Sequence, residues 1–121
     1  MNLRIVISMR KHIVIANKLV RDKIPDIIKK EGRSCLVCRI PEKTRSLFLR
    51  QKLVEESKEL FSCNKKEIAN EIIDLMEIID EIVKIEKIDI EYLKKFKEAK
   101  KKEKGEFNKG IYLIYYEKTD D

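Results

Sequence analysis

Residues 52–81 read K-L-V-E-E-S-K-E-L-F-S-C-N-K-K-E-I-A-N-E-I-I-D-L-M-E-I-I-D-E, and they carry acids where a helical protein normally carries leucine. At roughly 100° per residue, Leu49, Leu53 and Leu60 fall on one helix face, with Glu56 in the same row. Beyond a short polar break, Ile68, Ile72, Leu75, Met76, Ile79, Ile82 and Val83 make a second apolar face. Glu71 projects between the rows holding Ile78 and Ile82, and Asp74 lies at the edge of that face. Two helices joined by so short a break are expected to pack antiparallel, which sets Glu56 and Glu59 opposite Glu71 and Asp74. Buried carboxylates repel one another unless something positive sits between them.

The acids reduce to E-E-x-x-E, eleven residues, then E-x-x-D, formed by Glu55, Glu56, Glu59, Glu71 and Asp74. Spacings of three and four residues put carboxylates on one helix face, so each helix offers a pair and the two helices offer a cage. Oxygen donors in that number, without His or Cys, suit Mg²⁺ or Mn²⁺ rather than zinc. A lone E-x-x-E is common on helix surfaces as part of ordinary i, i+4 ion pairing. Two such motifs facing inward on apolar helices favour the metal reading.

Working outward, the first of these helices is expected from about Glu42 to Phe61 and the second from about Lys65 to Ile85, with Asn64 as its cap. The second is apolar over more than half its circumference, which calls for cover on two sides, one of them from a partner subunit. An earlier helix carries Pro25 in its first turn, with Asp22 as its expected cap and Gly32 at its end. A last, lysine-rich helix runs from a cap at Asp89 to Lys104, where Gly105 ends it. Residues 11–17, 35–40 and the aromatic tail G-I-Y-L-I-Y-Y-E-K at 110–118 read as short strands, the tail pairing with 11–17. The expected fold is therefore mainly α: an antiparallel bundle of about four helices with a small sheet of short N- and C-terminal strands. The 121 residues suit one domain, 1–121, in which 1–10 are expected to be either a variable extension or the product of a start upstream of Met9.

Charged residues make up 41% of the chain and apolar ones 43%, a mixture that fits amphipathic helices with solvated outer faces. The net charge of +6 is unevenly spread: residues 55–91 sum to −7 and the remainder to +13. An acidic middle framed by basic ends suits a polyanion held through metal ions, with lysines closing around it. The same acidic middle, and the lack of an aromatic-rich basic surface, weigh against a nucleic-acid partner. No segment approaches the ~18 apolar residues of a membrane span, and the N-terminal apolar run is too short for a secretory signal, so a cytoplasmic protein is expected. Cys35, Cys38 and Cys63 do not form the framework of a secreted domain. With His12 they would supply four zinc ligands, but residues i and i+3 of a strand point to opposite faces and no Gly follows Cys38. Reduced, structural cysteines are expected, with His12 in a surface or packing role.

The acidic constellation resembles that of the MazG-like nucleoside triphosphate pyrophosphohydrolases, the all-α superfamily that includes phosphoribosyl-ATP pyrophosphohydrolase and the dimeric dUTP pyrophosphatases. N-K-L-V-R-D-K-I-P-D-I-I at 17–28 resembles the opening of a small subgroup of that superfamily. K-L-V-E-E-S-K-E-L at 52–60 is similar to its first metal helix, E-I-I-D-L-M-E at 71–77 to its second, and K-K-K-E-K-G-E-F-N-K-G-I-Y-L at 100–113 to its closing segment. The four stretches stand in the expected order and span most of residues 17–114. The N-terminal extension and the cysteines have no counterpart in that pattern.

The resemblance implies Mg²⁺-dependent hydrolysis of a nucleoside triphosphate between the α and β phosphates, with Mn²⁺ a possible substitute, in a house-cleaning role and as a homodimer or homotetramer. Carried onto this chain, it makes Glu56, Glu59, Glu71 and Asp74 the metal ligands and Glu55 the catalytic group that positions the attacking water. Lys18, Arg21, Lys23 and Lys52 become candidates to hold phosphate oxygens, joined by Lys101, Lys102 and Lys104 from the last helix. Two other readings stay open: phosphoribosyl-ATP pyrophosphohydrolysis, and a non-catalytic basic helical interaction module.

Overall fold

The fold turns on Asn64. Its extended backbone follows one helix, and its side-chain oxygen accepts from the Lys66 amide at 3.1 Å, opening a 3-10 turn at Lys65–Glu67 that runs into the next helix. This satisfies one of the donors that a helix start leaves orphaned, as the sequence predicts. The computed structural model describes residues 12–120; the extension at 1–10 lies outside them.

Among the described residues the protein is mainly helical: α1 (Ile24–Lys30), α2 (Glu42–Ser62), α3 (Ile68–Ile85) and α4 (Ile90–Lys104). The chain divides into two compact units, Met1–Ile82 and Val83–Asp121. None of the four helices is long and apolar enough to cross a membrane.

The first unit holds α1, α2 and most of α3. Helix α1 carries Pro25 in its first turn and is capped by Lys23 without a side-chain bond, so the expected capping by Asp22 does not occur. Its end follows a Schellman pattern, with Gly32 at φ +76, the Gly32 amide bonded to Lys29 and the Arg33 amide to Ile28. Glycine reaches that conformation without steric cost.

Helix α2 buries Ser46 and Leu49, with Leu53, Glu56 and Leu60 half-buried along the same stripe. Helix α3 buries Ile78, with Glu71, Asp74, Leu75 and Ile82 half-buried beside it. The inward face of α3 is thus the one that carries the acids. Ile68, Ile72, Met76 and Ile79, on another face, are 40–57% exposed. The order is that of an antiparallel pair, with Leu49 two turns before Glu56 and Ile78 two turns after Glu71.

In the second unit, Asp89 caps α4 by accepting from the Glu91 amide at 3.0 Å, and Gly105, at φ +83, ends it. Helix α3 ends at Ile85, and the turn after it holds Lys87, a non-glycine residue, at φ +54, with its amide bonded to Lys84 and the Ile88 amide to Val83. This is again the Schellman arrangement, here with a Cβ in the left-handed region. Lys87→Gly is expected to stabilise the protein by about 0.5–1 kcal/mol, because relief of the left-handed strain exceeds the entropy cost of a glycine. Urea unfolding monitored by helical circular dichroism checks it.

The expected small sheet is not present: residues 12–17, 35–40 and the tail at 110–118 form no strand among the described residues. Ile13, Val14 and Ile15 are 75–91% exposed, and the residues from Ile111 to Tyr116 are 67–89% exposed. β-Branched and aromatic residues favour a pleated, half-buried surface, but a strand exists only as one side of a hydrogen-bonded ladder. Neither segment has such a ladder, so local propensity alone does not make a strand.

Candidate metal centre

The α2–α3 pair brings the acids together because both helices turn them toward the shared face. Glu56 from α2 and Glu71 and Asp74 from α3 each offer a carboxylate oxygen, and these oxygens lie within 4.8 Å of one another. All three residues are half-buried. Three carboxylates at that spacing create a field that favours a small, hard cation.

The electrostatics of Glu71 record the crowding. Partial withdrawal from water pushes its carboxyl above the ordinary 4.5, and the charges of Glu56, Asp74 and Glu59 and a hydrogen bond with Glu56 push in the same direction. Glu59 therefore contributes to the field at Glu71, but it is exposed and outside the converging group of three. Of the four ligands expected from the sequence, three converge and the fourth stands at the edge.

Two cations already attend these acids. Lys52, one turn before Glu56, places Nζ 3.7 Å from its Oε1, and both side chains are about one-fifth exposed. Arg21, in the segment before α1, donates from Nη2 to Asp74 Oδ1 at 2.5 Å and from Nη1 to Glu77. These contacts hold the guanidinium firmly in its charged form, with Asp74 the larger influence. The partnership of Arg21 with Asp74 and Glu77 is not foreseen in the sequence. The signal available was the i, i+3 spacing of Asp74 and Glu77, which matches the two arms of a guanidinium fork.

Lys18, Lys52 and Glu55 line one small cleft together with Asn17, Phe48 and Gln51. Its volume of about 20 Å³ is room for a single water and no more. Lys52 belongs to both places, since it lines the cleft and pairs with Glu56. Lys23 is exposed at the start of α1. Lys101, Lys102 and Lys104 lie in the last turn of α4, in the second unit, where Lys101 reaches Glu106 at 3.3 Å.

All three cysteines are free thiols, Cys38 exposed and the other two half-buried. Among the described residues they do not converge with His12, which is exposed, into a metal-binding group. The thiol of Cys63 turns back on the Leu60 carbonyl at 3.4 Å.

Compared with protein-family models, with curated proteins and with solved structures, the chain matches none.

Proposed function

We propose that this protein is a Mg²⁺-dependent nucleoside triphosphate pyrophosphohydrolase of the MazG-like kind, cleaving between the α and β phosphates to give a monophosphate and pyrophosphate. The observation that carries the reading is the convergence of Glu56, Glu71 and Asp74 from two helices onto one point. The donor set fits the ion, since three half-buried carboxylates without nitrogen or sulfur donors are suited to Mg²⁺, or to Mn²⁺ in its place. When bound, the metal supplies charge neutralisation of the triphosphate and Lewis-acid activation of the attacking water.

The chain's own residues take the remaining roles. Glu56, Glu71 and Asp74 hold the ion, with Glu59 at the edge of the cage completing its negative field. Glu55, beside the water-sized cleft, orients the attacking water and accepts its proton. Lys18 and Lys52 at the same cleft hold phosphate oxygens as charge develops on them. Arg21 and Lys23 are further candidate phosphate-holding cations of the first unit, and Lys101, Lys102 and Lys104 are candidates carried separately by α4 of the second. The exposed apolar stripe of Ile68, Ile72, Met76 and Ile79 supports assembly into a homodimer or homotetramer through α3.

Incubation of the purified protein with a panel of nucleoside triphosphates and phosphoribosyl-ATP, with Mg²⁺ and with chelator, tests the proposal. Metal-dependent release of pyrophosphate from at least one nucleoside triphosphate is expected. Release from phosphoribosyl-ATP alone would move the assignment to that reaction. No release from any substrate would overturn the enzymatic reading.

A further inference from the structure

Arg21 occupies an unusual position for a group meant only to greet substrate. Its guanidinium reaches 53 residues along the chain to Asp74, a member of the three-carboxylate group, at 2.5 Å. Its second nitrogen engages Glu77, which stands outside that group. The two acceptors are one turn apart on α3, the spacing a guanidinium fork can bridge. The Asp74 side chain is 27% exposed, whereas those of Arg21 and Glu77 are about half exposed, so the ion pair runs from the edge of the acidic group out to solvent.

We infer that Arg21 is a resident counter-cation of the acidic centre, which occupies Asp74 while no metal is bound, yields it to the arriving ion and pivots on Glu77 toward the rim. This rests on the metal-centre reading proposed above. The physical need is plain: three carboxylate oxygens converge within 4.8 Å and repel one another, and among the described residues Lys52 and Arg21 are the cations seen paired with members of the group. An Arg on one ligand relieves that repulsion, but it also opposes a divalent ion through charge repulsion and by competing for Asp74. Glu77 gives the displaced guanidinium an anchor, so it is not lost to solvent. From there its planar fork would be suited to bind phosphate oxygens of a nucleotide. One side chain thus serves the empty and the loaded centre in turn, and metal affinity is set partly by a residue that is not a ligand.

The test measures Mn²⁺ binding by electron paramagnetic resonance, with Mg²⁺ competition, in the wild type, Arg21→Gln, Arg21→Lys and the control Lys29→Gln. The control deletes the same unit charge from α1. Arg21→Gln is expected to bind Mn²⁺ roughly 1.5- to fivefold more tightly, the range expected for loss of a partly exposed charge pair. Arg21→Lys should fall between it and the wild type, and Lys29→Gln should leave the affinity nearly unchanged. In the wild type, the Arg21 side-chain Nε–Hε resonance should shift as Mg²⁺ is added, a readout that needs no variant to fold. Equal or weaker binding by Arg21→Gln, an equal effect in Lys29→Gln, or an unmoved Arg21 resonance at saturating Mg²⁺ would overturn the inference while leaving the metal centre standing. Absence of Mn²⁺ binding by the wild type would overturn the metal centre and the inference together.

Discussion

Glu71→Gln is expected to reduce Mg²⁺-dependent pyrophosphate release by about 10²–10³-fold, the loss typical when one preorganised electrostatic contact to the reacting centre is removed. The same substitution should raise the melting temperature of the metal-free protein near neutral pH. The opposite signs follow from one cause. Without metal, the Glu71 carboxylate faces Glu56 and Asp74 across less than 5 Å and is partly shielded from water, so its ionised form is disfavoured in the folded state. A neutral amide of the same shape removes that repulsion. With metal, the charge is needed to hold the ion, and the amide is a poorer donor.

The pH dependence carries a definite sign. Glu71 has its folded value raised above 4.5, so the folded state binds the proton more tightly than the unfolded chain does. Its contribution to stability is complete below about 4.5 and is lost as the pH rises through the raised folded value. Melting curves of the metal-free wild type from pH 4 to pH 8 should therefore show a decline that Glu71→Gln lacks. Saturating Mg²⁺ should restore stability at the upper end in the wild type and much less in the variant. A variant that melts lower than the wild type without metal would contradict the reading of these three carboxylates as mutually repelling.

Leu49→Ala is expected to have the largest effect on stability, costing about 2–4 kcal/mol, the range for deleting a buried leucine side chain. Leu49 is 5% exposed and Ile78 6%, and they are the two buried apolar side chains among the described residues. Each stands two turns from an acid of the centre, on the side away from the connecting turn. Together they close the end of the α2–α3 contact against the repulsion at its middle. A cavity there weakens the apolar packing that, with the half-buried Leu53, Leu60, Leu75 and Ile82, opposes separation of the carboxylates. Leu47→Ala, on the same helix but half exposed, should cost less than about 0.5 kcal/mol. Chemical denaturation of both variants checks the contrast, and added Mg²⁺ should recover part of the loss in Leu49→Ala.

The helices and the inward acids were legible because their signals are local. Apolar residues at three- and four-residue spacing set the stripes of α2 and α3, and Asn64, Asp89, Gly32 and Gly105 punctuate the chain by their own backbone preferences. Glu56 in a row of leucines is visible for the same reason. What was not legible depends on partners distant in sequence. The β-branched runs at 12–17 and 35–40 resemble strands residue by residue, yet pairing decides whether a strand forms. Helical spacing alone does not separate Glu59 from Glu56, because the two stand three residues apart on neighbouring rows of α2 and the approach of α3 decides which one is half-buried beside Glu71. The sequence offers Arg21 only as a candidate for phosphate oxygens, and its pairing with Asp74 and Glu77 is decided by the fold.

The connection from α2 to α3 is only Cys63, Asn64 and a single 3-10 turn. Glu56, Glu71 and Asp74 are consequently neighbours in sequence as well as in space, and the loop that must close to unite them is short. Low contact order favours rapid assembly. Arg21 precedes both helices in the order of synthesis, so the neutralising side chain is already outside the ribosome when the hairpin closes on its acids. A chain with the same centre but with its basic segment placed after α3 would have to bring like charges together unaided, and would fold more slowly for it.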